Sequence, residues 1–224
     1  MKSLPMGRPK LVNDPVNPAP RSRLGVIILG AGRSSRMGSP KLLLPWQDGT
    51  VLGSLLSQWQ GLCPAQIAVV CRMGDEAISA ELERLGFPSQ NRIMNANADL
   101  GMFSSIQAAA RWTGWVPGLT GWAIVLGDQP HLRTDTLRSI LNCHLRHPEA
   151  ICQPVHGSKS GHPVLLSHQA FSQLQNTLQP TLKDFLNHNS CLVMKCPVPD
   201  SGLALDMDTL EDYKQLLTIF PAHE

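Results

Sequence analysis

The sequence contains little charge and no cluster of it. Of its 224 residues, 16% are Asp, Glu, Lys or Arg, and the formal net charge is +2. A nucleic-acid-binding surface needs a strong local excess of lysine and arginine, which this composition excludes. We therefore expect no nucleic-acid partner, and any phosphate that the protein binds must be held by a few local residues.

Long apolar segments are also lacking. No run approaches the roughly 20 apolar residues that span a bilayer, and residues 1–23 contain no apolar stretch like that of a signal peptide. We expect a cytoplasmic protein without a membrane partner. Residues 1–23 contain five prolines and too few apolar side chains for a core, which predicts a disordered tail followed by one domain over residues 24–224.

Cysteines with metal-binding or redox spacing are missing too. None of the six cysteines forms a Cys-x-x-Cys motif, and most of them lie in apolar segments. The thiols of cytoplasmic proteins stay reduced. The sequence therefore predicts six reduced cysteines, most of them core residues.

Short β-branched runs alternate with amphipathic segments after residue 23. The β-branched runs predict strands at 24–29, 66–71, 92–95, 122–126, 150–154, 163–166 and 191–198. The amphipathic segments predict helices at 51–61, 75–85, 102–113, 134–147, 167–178, 181–187 and 209–220. This alternation is typical of the α/β class, here a Rossmann-like three-layer sandwich with a mostly parallel sheet. Ligands of such sheets bind at the carboxyl ends of the strands.

The first predicted strand leads into a glycine-rich loop that holds three cations, Arg33, Arg36 and Lys41. A P-loop places its lysine directly after glycine, whereas two residues separate Gly38 from Lys41 here. A dinucleotide-binding motif needs a third glycine where Ser35 stands. Cations around glycines that admit close backbone approach suit a triphosphate. The alternative is a tight turn between strand and helix with solvated basic side chains.

Carboxylates follow in two later segments. Asp128 ends the fourth predicted strand, where it can coordinate Mg²⁺ that bridges two phosphates or act as an ordinary turn residue. Asp206 and Asp208 alternate, so both point the same way if their segment is extended. Asp208 is followed three residues later by Glu211, which is also typical of a helix-capping pair. Both roles of Asp208 stay open.

The glycine-rich loop resembles the signature of a known family, Leu-x-Ala-Gly-x-Ser-x-Arg-Met-Gly-x-x-Lys-x-Leu-Leu. This is the MobA-like NTP transferase family, whose members attach a nucleotide to the molybdenum cofactor. Further matches follow in family order at Asn95, 101–105, 127–130, 161–164 and 205–213. The resemblance implies a fold of the nucleotide-diphospho-sugar transferase type. It also implies a Mg²⁺-dependent enzyme whose acceptor attacks the α phosphorus of a nucleoside triphosphate and releases pyrophosphate.

The resemblance also implies a role for each matching residue. The expected catalytic residues are Lys41, Arg36 and Asp128, and the expected metal ligands are Asp128, Asp206 and Asp208. The expected nucleotide-binding residues are Leu29, Gly30, Ala31, Gly32, Arg33, Ser34, Gly38, Asn95 and Ser105. The expected acceptor-binding residues are Gly101, Met102, Ser104, His162 and Lys183. For the segment around Gly101 the alternative is a plain helix start.

The substrates are also read from the resemblance. Ala31 stands where guanylyl-transferring relatives tend to have glycine, which resembles the cytidylyl branch and implies CTP as donor and molybdopterin as acceptor. A molybdenum hydroxylase is the candidate partner. Residues 178–185 lack the Gly-Asp-x-Gly-Ala-Arg of cytidylyl relatives, and Ala98 replaces a usual aromatic, so we assign both departures to the acceptor side. The alternatives are another phosphorylated acceptor, such as a sugar phosphate, or a non-catalytic chaperone that binds nucleotide or cofactor for a molybdenum enzyme.

Overall fold

A computed structural model describes residues 23–33 and 37–221 of the chain. Within these ranges one large sheet lies between two layers of helices. The predicted tail lies outside the described residues apart from Arg23, and so do two predicted site residues, Ser34 and Arg36. No helix in residues 23–33 and 37–221 has both the length and the apolar character needed to cross a membrane.

Ten strands occur in the part of the chain that the structure describes. They are β1 (Leu24–Leu29), β2 (Pro45–Trp46), β3 (Gly49–Thr50), β4 (Gln66–Arg72), β5 (Arg92–Asn95), β6 (Gly121–Leu126), β7 (Ile151–His156), β8 (Lys159–Ser160), β9 (Val164–Ser167) and β10 (Val193–Pro197). The main sheet has the order β10-β7-β9-β6-β1-β4-β5, with β8 beside β7. Within it, β8 and β9 run antiparallel to their neighbours and the other strands run parallel. β2 and β3 form a separate hairpin.

Seven α-helices occur in the same ranges and cover both faces of the sheet. They are α1 (Val51–Gln60), α2 (Glu76–Arg84), α3 (Met102–Arg111), α4 (Thr134–Arg146), α5 (His168–Gln173), α6 (Leu182–His188) and α7 (Leu210–Ile219). Because successive strand residues face opposite sides, Ile27 packs towards α3, α5 and α6, whereas Val26 and Ile28 pack towards α1, α2, α4 and α7. This three-layer sandwich confirms the predicted fold class.

Every predicted strand and helix is present, and most of their ends differ by one to three residues. The largest difference concerns the helix predicted for 167–178, because α5 ends at Gln173. Beyond α5, Arg111 Nε of α3 donates to the Gln175 carbonyl at 2.8 Å, and Gln107 Nε2 donates to the Thr177 carbonyl at 3.4 Å. These tertiary hydrogen bonds hold the segment in an irregular conformation, which local periodicity does not reveal.

The prediction of six reduced cysteines is wrong. Cys143 on α4 and Cys196 on β10 form a disulfide, although 53 residues separate them in sequence. Helix α4 packs against β7, and β10 is the neighbour of β7 in the sheet. This packing brings the two sulfurs together. Cys63 and Cys191 are exposed rather than core residues. Cys152 is a buried thiol whose pKa burial raises to about 11.

Candidate active site

The carboxyl ends of four parallel strands meet at one edge of the sheet. β1 pairs with β6 so that Leu29 lies beside Leu126, and the glycine-rich loop therefore leaves the sheet next to Asp128. β4 and β5 end at the same edge with Arg72 and Asn95. A cleft of about 570 Å³ opens there, which we call the first cleft. Its lining residues are Leu29, Ala31, Gly32, Arg33, Lys41, Leu42, Arg72, Ala98, Asp99, Gly101, Met102, Ser105, Leu126, Gly127 and Asp128.

Two glycines let the strand ends approach each other closely. A Cβ at Gly127 would lie 2.6 Å from the carbonyl oxygen of Leu29 and 2.8 Å from Cδ2 of Leu42. A Cβ at Gly30 would lie 3.0 Å from the carbonyl oxygen of Val70, which accepts a hydrogen bond of 2.9 Å from the Gly30 N–H. A larger residue at either position would separate the loop from the sheet.

The ammonium group of Lys41 joins three distant segments of the chain. Lys41 begins a 3₁₀ turn, Lys41–Leu43, which the buried side chain of Leu42 fixes against the core. Its Nζ donates to Asp128 Oδ2 at 2.5 Å and to the Met207 carbonyl at 3.4 Å, and lies 3.6 Å from Asp208 Oδ1. The predicted catalytic lysine therefore lies beside carboxylates from both acidic segments.

The carboxylates of this site fit a divalent cation. Asp128 Oδ1 is buried and, within the described part of the chain, accepts no hydrogen bond. Partial burial and the neighbouring carboxylates of Asp128 and Asp208 raise the pKa of Asp206. Carboxylate oxygens, here including one buried oxygen without a hydrogen bond among the described residues, are the ligands that Mg²⁺ and Mn²⁺ prefer. Asp128, Asp206 and Asp208 therefore match the chemistry of a divalent metal site.

The capping role considered for Asp208 is wrong. The N-cap of α7 is Thr209, whose Oγ1 accepts from the Asp212 N–H at 3.1 Å, while Asp212 Oδ2 accepts from the Thr209 N–H at 2.8 Å. These two residues form the capping box, one position beyond the pair that the sequence suggested. Asp208 precedes the cap and lies among the polar groups around Lys41.

An ion-pair network that sequence reasoning missed forms one rim of the first cleft. Arg33 of the glycine-rich loop and Arg72 of β4 contact Asp99 Oδ1 at 2.7 Å and 2.6 Å. The hydrogen bond from Arg72, together with the charges of both guanidinium groups, lowers the pKa of Asp99. Arg72 could have been predicted as a site residue, because it lies at the carboxyl end of a predicted strand. The local sequence around Asp99 contains no motif that predicts its role.

Asn95 holds the first turn of α3 in place. Its Nδ2 donates to Ser104 Oγ at 2.9 Å and to Ser105 Oγ at 3.0 Å, while its Oδ1 accepts from the Asn97 N–H at 2.9 Å. Gly101, directly before the helix, has φ 94°, a conformation that side chains rarely allow. Asn95 is buried, and among these residues Ser105 and Gly101 line the first cleft.

A second cleft of about 540 Å³ adjoins the first on the side of the sheet that carries α3 and α6. Met102 lines both clefts, so the two clefts are neighbours. His162 lines the second cleft, and its Nδ1–H donates to the Ile124 carbonyl at 3.3 Å. Burial lowers the pKa of His162, which keeps the imidazole neutral. The remaining lining residues are Gln153, Ser160, Leu182, Lys183, Leu186, Asn187, Ser190, Val193 and Lys195.

The structure distributes the predicted binding residues between the two clefts. The predicted nucleotide-binding residues in the first cleft are Leu29, Ala31, Gly32, Arg33 and Ser105. Of the predicted acceptor-binding residues, Met102, His162 and Lys183 line the second cleft, whereas Gly101 lines the first, as Met102 also does. Gly38 lies in the loop with φ 68°. Ala98, which the sequence assigned to the acceptor side, lines the first cleft beside Gly101 and Met102.

The fold and this site together are those of a nucleotidyltransferase of the Rossmann-like nucleotide-sugar transferase type. A mostly parallel sheet presents a cationic glycine-rich loop opposite clustered carboxylates at its carboxyl edge. Residues 26–192 match the MobA-like NTP transferase domain. The chain belongs to the MobA-like NTP transferase family.

Relatives of known name support this assignment. The chain is similar to the molybdenum cofactor cytidylyltransferase of Escherichia coli, with 31% identity over 199 residues, 86% of this chain and 94% of that protein. A protein of Rhodopirellula baltica named "Probable molybdenum cofactor guanylyltransferase" is 32% identical over 134 residues, 59% of this chain and 61% of its own length. The manganese complex of Rv0371c from Mycobacterium tuberculosis is 28% identical with a TM-score of 0.66, covering 88% of this chain and 99% of that one.

Proposed function

We propose that the protein is a cytoplasmic, Mg²⁺-dependent cytidylyltransferase that transfers CMP from CTP to molybdopterin. The observation that carries this proposal is the ammonium group of Lys41, which lines the first cleft with Asp128, is paired with that carboxylate and lies 3.6 Å from Asp208 Oδ1. The E. coli cytidylyltransferase, which aligns over 94% of its length, supports CTP as the donor. The guanylyltransferase relative makes GTP the competing donor.

In the proposed reaction, an oxygen of the acceptor's phosphate attacks the α phosphorus of CTP. A new P–O bond forms to the acceptor as the bond between the α phosphorus and the bridging oxygen breaks, and pyrophosphate leaves with that oxygen. Asp128, with Asp206 and Asp208, would hold Mg²⁺, which would supply positive charge against the charge that develops on the phosphates. Lys41 exchanges its carboxylate partner for an α-phosphate oxygen and stabilises the charge of the transition state.

The other predicted residues position the two substrates. The backbone of the glycine-rich loop at Gly30, Gly32 and Gly38 admits the triphosphate, and Arg36 completes its cationic side. Asn95 acts on the nucleotide through Ser105, because its own amide hydrogen bonds lie within the protein. The acceptor occupies the second cleft and reaches the α phosphorus past Met102. We propose that residues 24–224 form one domain and that residues 1–23 form a tail.

Pyrophosphate release tests the proposal. The protein is incubated with CTP, GTP, UTP or ATP, each with molybdenum-loaded molybdopterin, with a sugar phosphate or without an acceptor, in Mg²⁺ or in excess chelator. We expect release with CTP, molybdopterin and Mg²⁺ together, and none when any of the three is omitted. Release only with a sugar phosphate would assign a different acceptor. Tight binding of CTP without release in any mixture would assign a binding protein instead of an enzyme.

A further inference from the structure

The charged side chains that line the second cleft within the described part of the chain are positive. The described residues that line it include two lysines, Lys183 on α6 and Lys195 on β10, and no aspartate or glutamate. Neither lysine has a carboxylate oxygen within 4.0 Å among residues 23–33 and 37–221. A concave site with positive charge and no internal counter-ion favours an anionic ligand.

The position of Lys195 follows from the pairing of two strands. β10 pairs in parallel with β7, and Lys195 lies opposite Gln153 in the register. Alternate strand residues face opposite sides of the sheet, so Cys196 is directed to α4 while Lys195 and Val193 face the cleft. The backbone of a paired strand therefore fixes the stem of Lys195 at the wall of the cleft.

The ammonium group of Lys195 is held by neutral groups. Its Nζ contacts Gln153 Oε1 at 2.5 Å and Ser160 Oγ at 3.1 Å. These oxygens orient the ammonium without neutralising it, and an ammonium has three N–H donors, so one remains for a ligand. This is the arrangement of a site that is organised for an anion before the anion arrives.

The attacking phosphate of the acceptor is not the group that this site serves. That phosphate must lie next to the α phosphorus in the first cleft, beside Lys41 and Asp128. Lys183 and Lys195 line the adjoining cleft, and Met102 is the lining residue that the two clefts share. The lysines are therefore placed to bind a different part of the same acceptor.

We propose that Lys195, assisted by Lys183, binds a second anionic group at the end of the acceptor remote from its attacking phosphate. This inference rests on the proposed nucleotidyl transfer and narrows its acceptor class. The acceptor is a molecule with two separate anionic centres. Molybdopterin loaded with molybdenum is such a molecule, because an oxo-molybdenum dithiolate lies at the opposite end from the phosphate. A simple sugar phosphate has a single anionic centre and leaves the lysines unused.

The test compares Lys195→Ala with Lys195→Arg and with Lys214→Ala, an exposed lysine on α7 that removes the same charge elsewhere. Equilibrium binding of molybdopterin is measured by fluorescence titration, in molybdenum-loaded and metal-free form, alongside CTP binding and pyrophosphate release. Lys195→Ala should raise the Kd and the KM for loaded molybdopterin at least about 10-fold, as expected for a lost charge-assisted hydrogen bond. The kcat and the Kd for CTP should not change. Lys195→Arg and Lys214→Ala should bind like the wild type.

Comparing the binding of molybdenum-loaded and metal-free molybdopterin identifies the group that Lys195 recognises. A larger loss with loaded than with metal-free molybdopterin supports the oxo-molybdenum end as the second anion. An unchanged Kd in Lys195→Ala, with a wild type that releases pyrophosphate, overturns the inference and leaves the proposed function standing. Weakened binding in Lys195→Ala, with a wild type that releases no pyrophosphate, supports the inference and overturns the proposed function. A wild type that binds neither form of molybdopterin overturns both.

Discussion

The two clefts hold their cations in different ways. In the first cleft, Lys41 is paired with the carboxylate of Asp128 at 2.5 Å. In the second, Lys195 is oriented by Gln153 and Ser160, which carry no charge. A lysine paired with a carboxylate must change partners when substrate binds, whereas a lysine on neutral partners presents its charge from the start. The first cleft is thus arranged for reaction and the second for recognition, and variants in each should affect different kinetic constants.

Asp128→Asn should cause the largest loss. The change keeps the shape of the side chain and removes the charge that would bind the metal and pair with Lys41. We expect kcat to fall about 1,000-fold, because stabilisation of the developing phosphate charge is lost. Pyrophosphate release across a Mg²⁺ titration measures the effect, and thermal unfolding checks the fold. Wild-type turnover in a folded Asp128→Asn protein would contradict the proposed role of Asp128 as a metal ligand.

Substitutions of Asp206 and Asp208, in the second acidic segment, test the same metal site. Asp206→Asn and Asp208→Asn should each raise the Mg²⁺ concentration that gives half-maximal turnover, because each removes negative charge from the site. Loss of helix capping does not complicate Asp208→Asn, since Thr209 and Asp212 cap α7. If neither variant changes the Mg²⁺ requirement, Asp128 binds the metal without help from Asp206 or Asp208.

Lys41→Ala should have the next largest effect. Removing its ammonium takes away one preorganised donor to the transferred phosphate, which lowers kcat about 100-fold. Single-turnover measurements with saturating CTP and acceptor report this step directly. Lys214→Ala serves as the control for the loss of one positive charge. A loss confined to KM would place Lys41 in binding and would erase the distinction between the clefts.

Lys183→Ala should have a smaller effect of a different kind. Lys183 on α6 is exposed, as Lys195 is, but no hydrogen bond within the described part of the chain orients its ammonium group, so its contribution to binding is smaller. We expect the KM for the acceptor to rise about 5-fold with kcat and the Kd for CTP unchanged, which is the signature of binding shared by ground and transition states. An unchanged KM with full activity would make residues 178–185 a structural segment.

The pH dependence of acceptor binding should show the smallest effect. Burial lowers the pKa of His162 below its usual value, so the neutral imidazole predominates between pH 8 and pH 6.5. The positive charge of the second cleft then comes mainly from Lys183 and Lys195. We expect the acceptor KM of the wild type, and likewise that of His162→Gln, to change by less than about 2-fold between pH 6.5 and 8. A wild-type KM that falls towards pH 6.5, absent in His162→Gln, would show that His162 becomes charged.

The sequence predicted the first cleft better than the second. Glycines, a lysine and a strand-ending aspartate lie in short motifs, and the rule that ligands bind at strand carboxyl ends places Lys41 and Asp128 together although 87 residues separate them. The role of Asp99 was not predicted, because it depends on ion pairs with Arg33 and Arg72, which lie in other segments of the chain. The disulfide between Cys143 and Cys196 was not predicted either, because it too joins distant segments.

The second cleft could not be predicted because no motif encodes it. Lys195 reads as an ordinary surface lysine in a short strand, and its orientation depends on the pairing of β10 with β7 at the far edge of the sheet. Lys183 was found from its charge alone. The hydrogen bonds from α3 to the segment after α5 also depend on contacts that form only in the folded chain. Recognition residues distributed over several elements need the fold before they can be identified.

Transfer of label from the α phosphate of CTP tests the central claim most directly. The protein is mixed with α-phosphate-labelled CTP, Mg²⁺ and molybdenum-loaded molybdopterin, and the acceptor is separated from the nucleotide after one turnover. The account predicts label in the acceptor with the wild type, about 1,000-fold slower labelling with Asp128→Asn, and wild-type labelling with Lys195→Ala at saturating acceptor. Labelled CMP or labelled protein in place of labelled acceptor would contradict it.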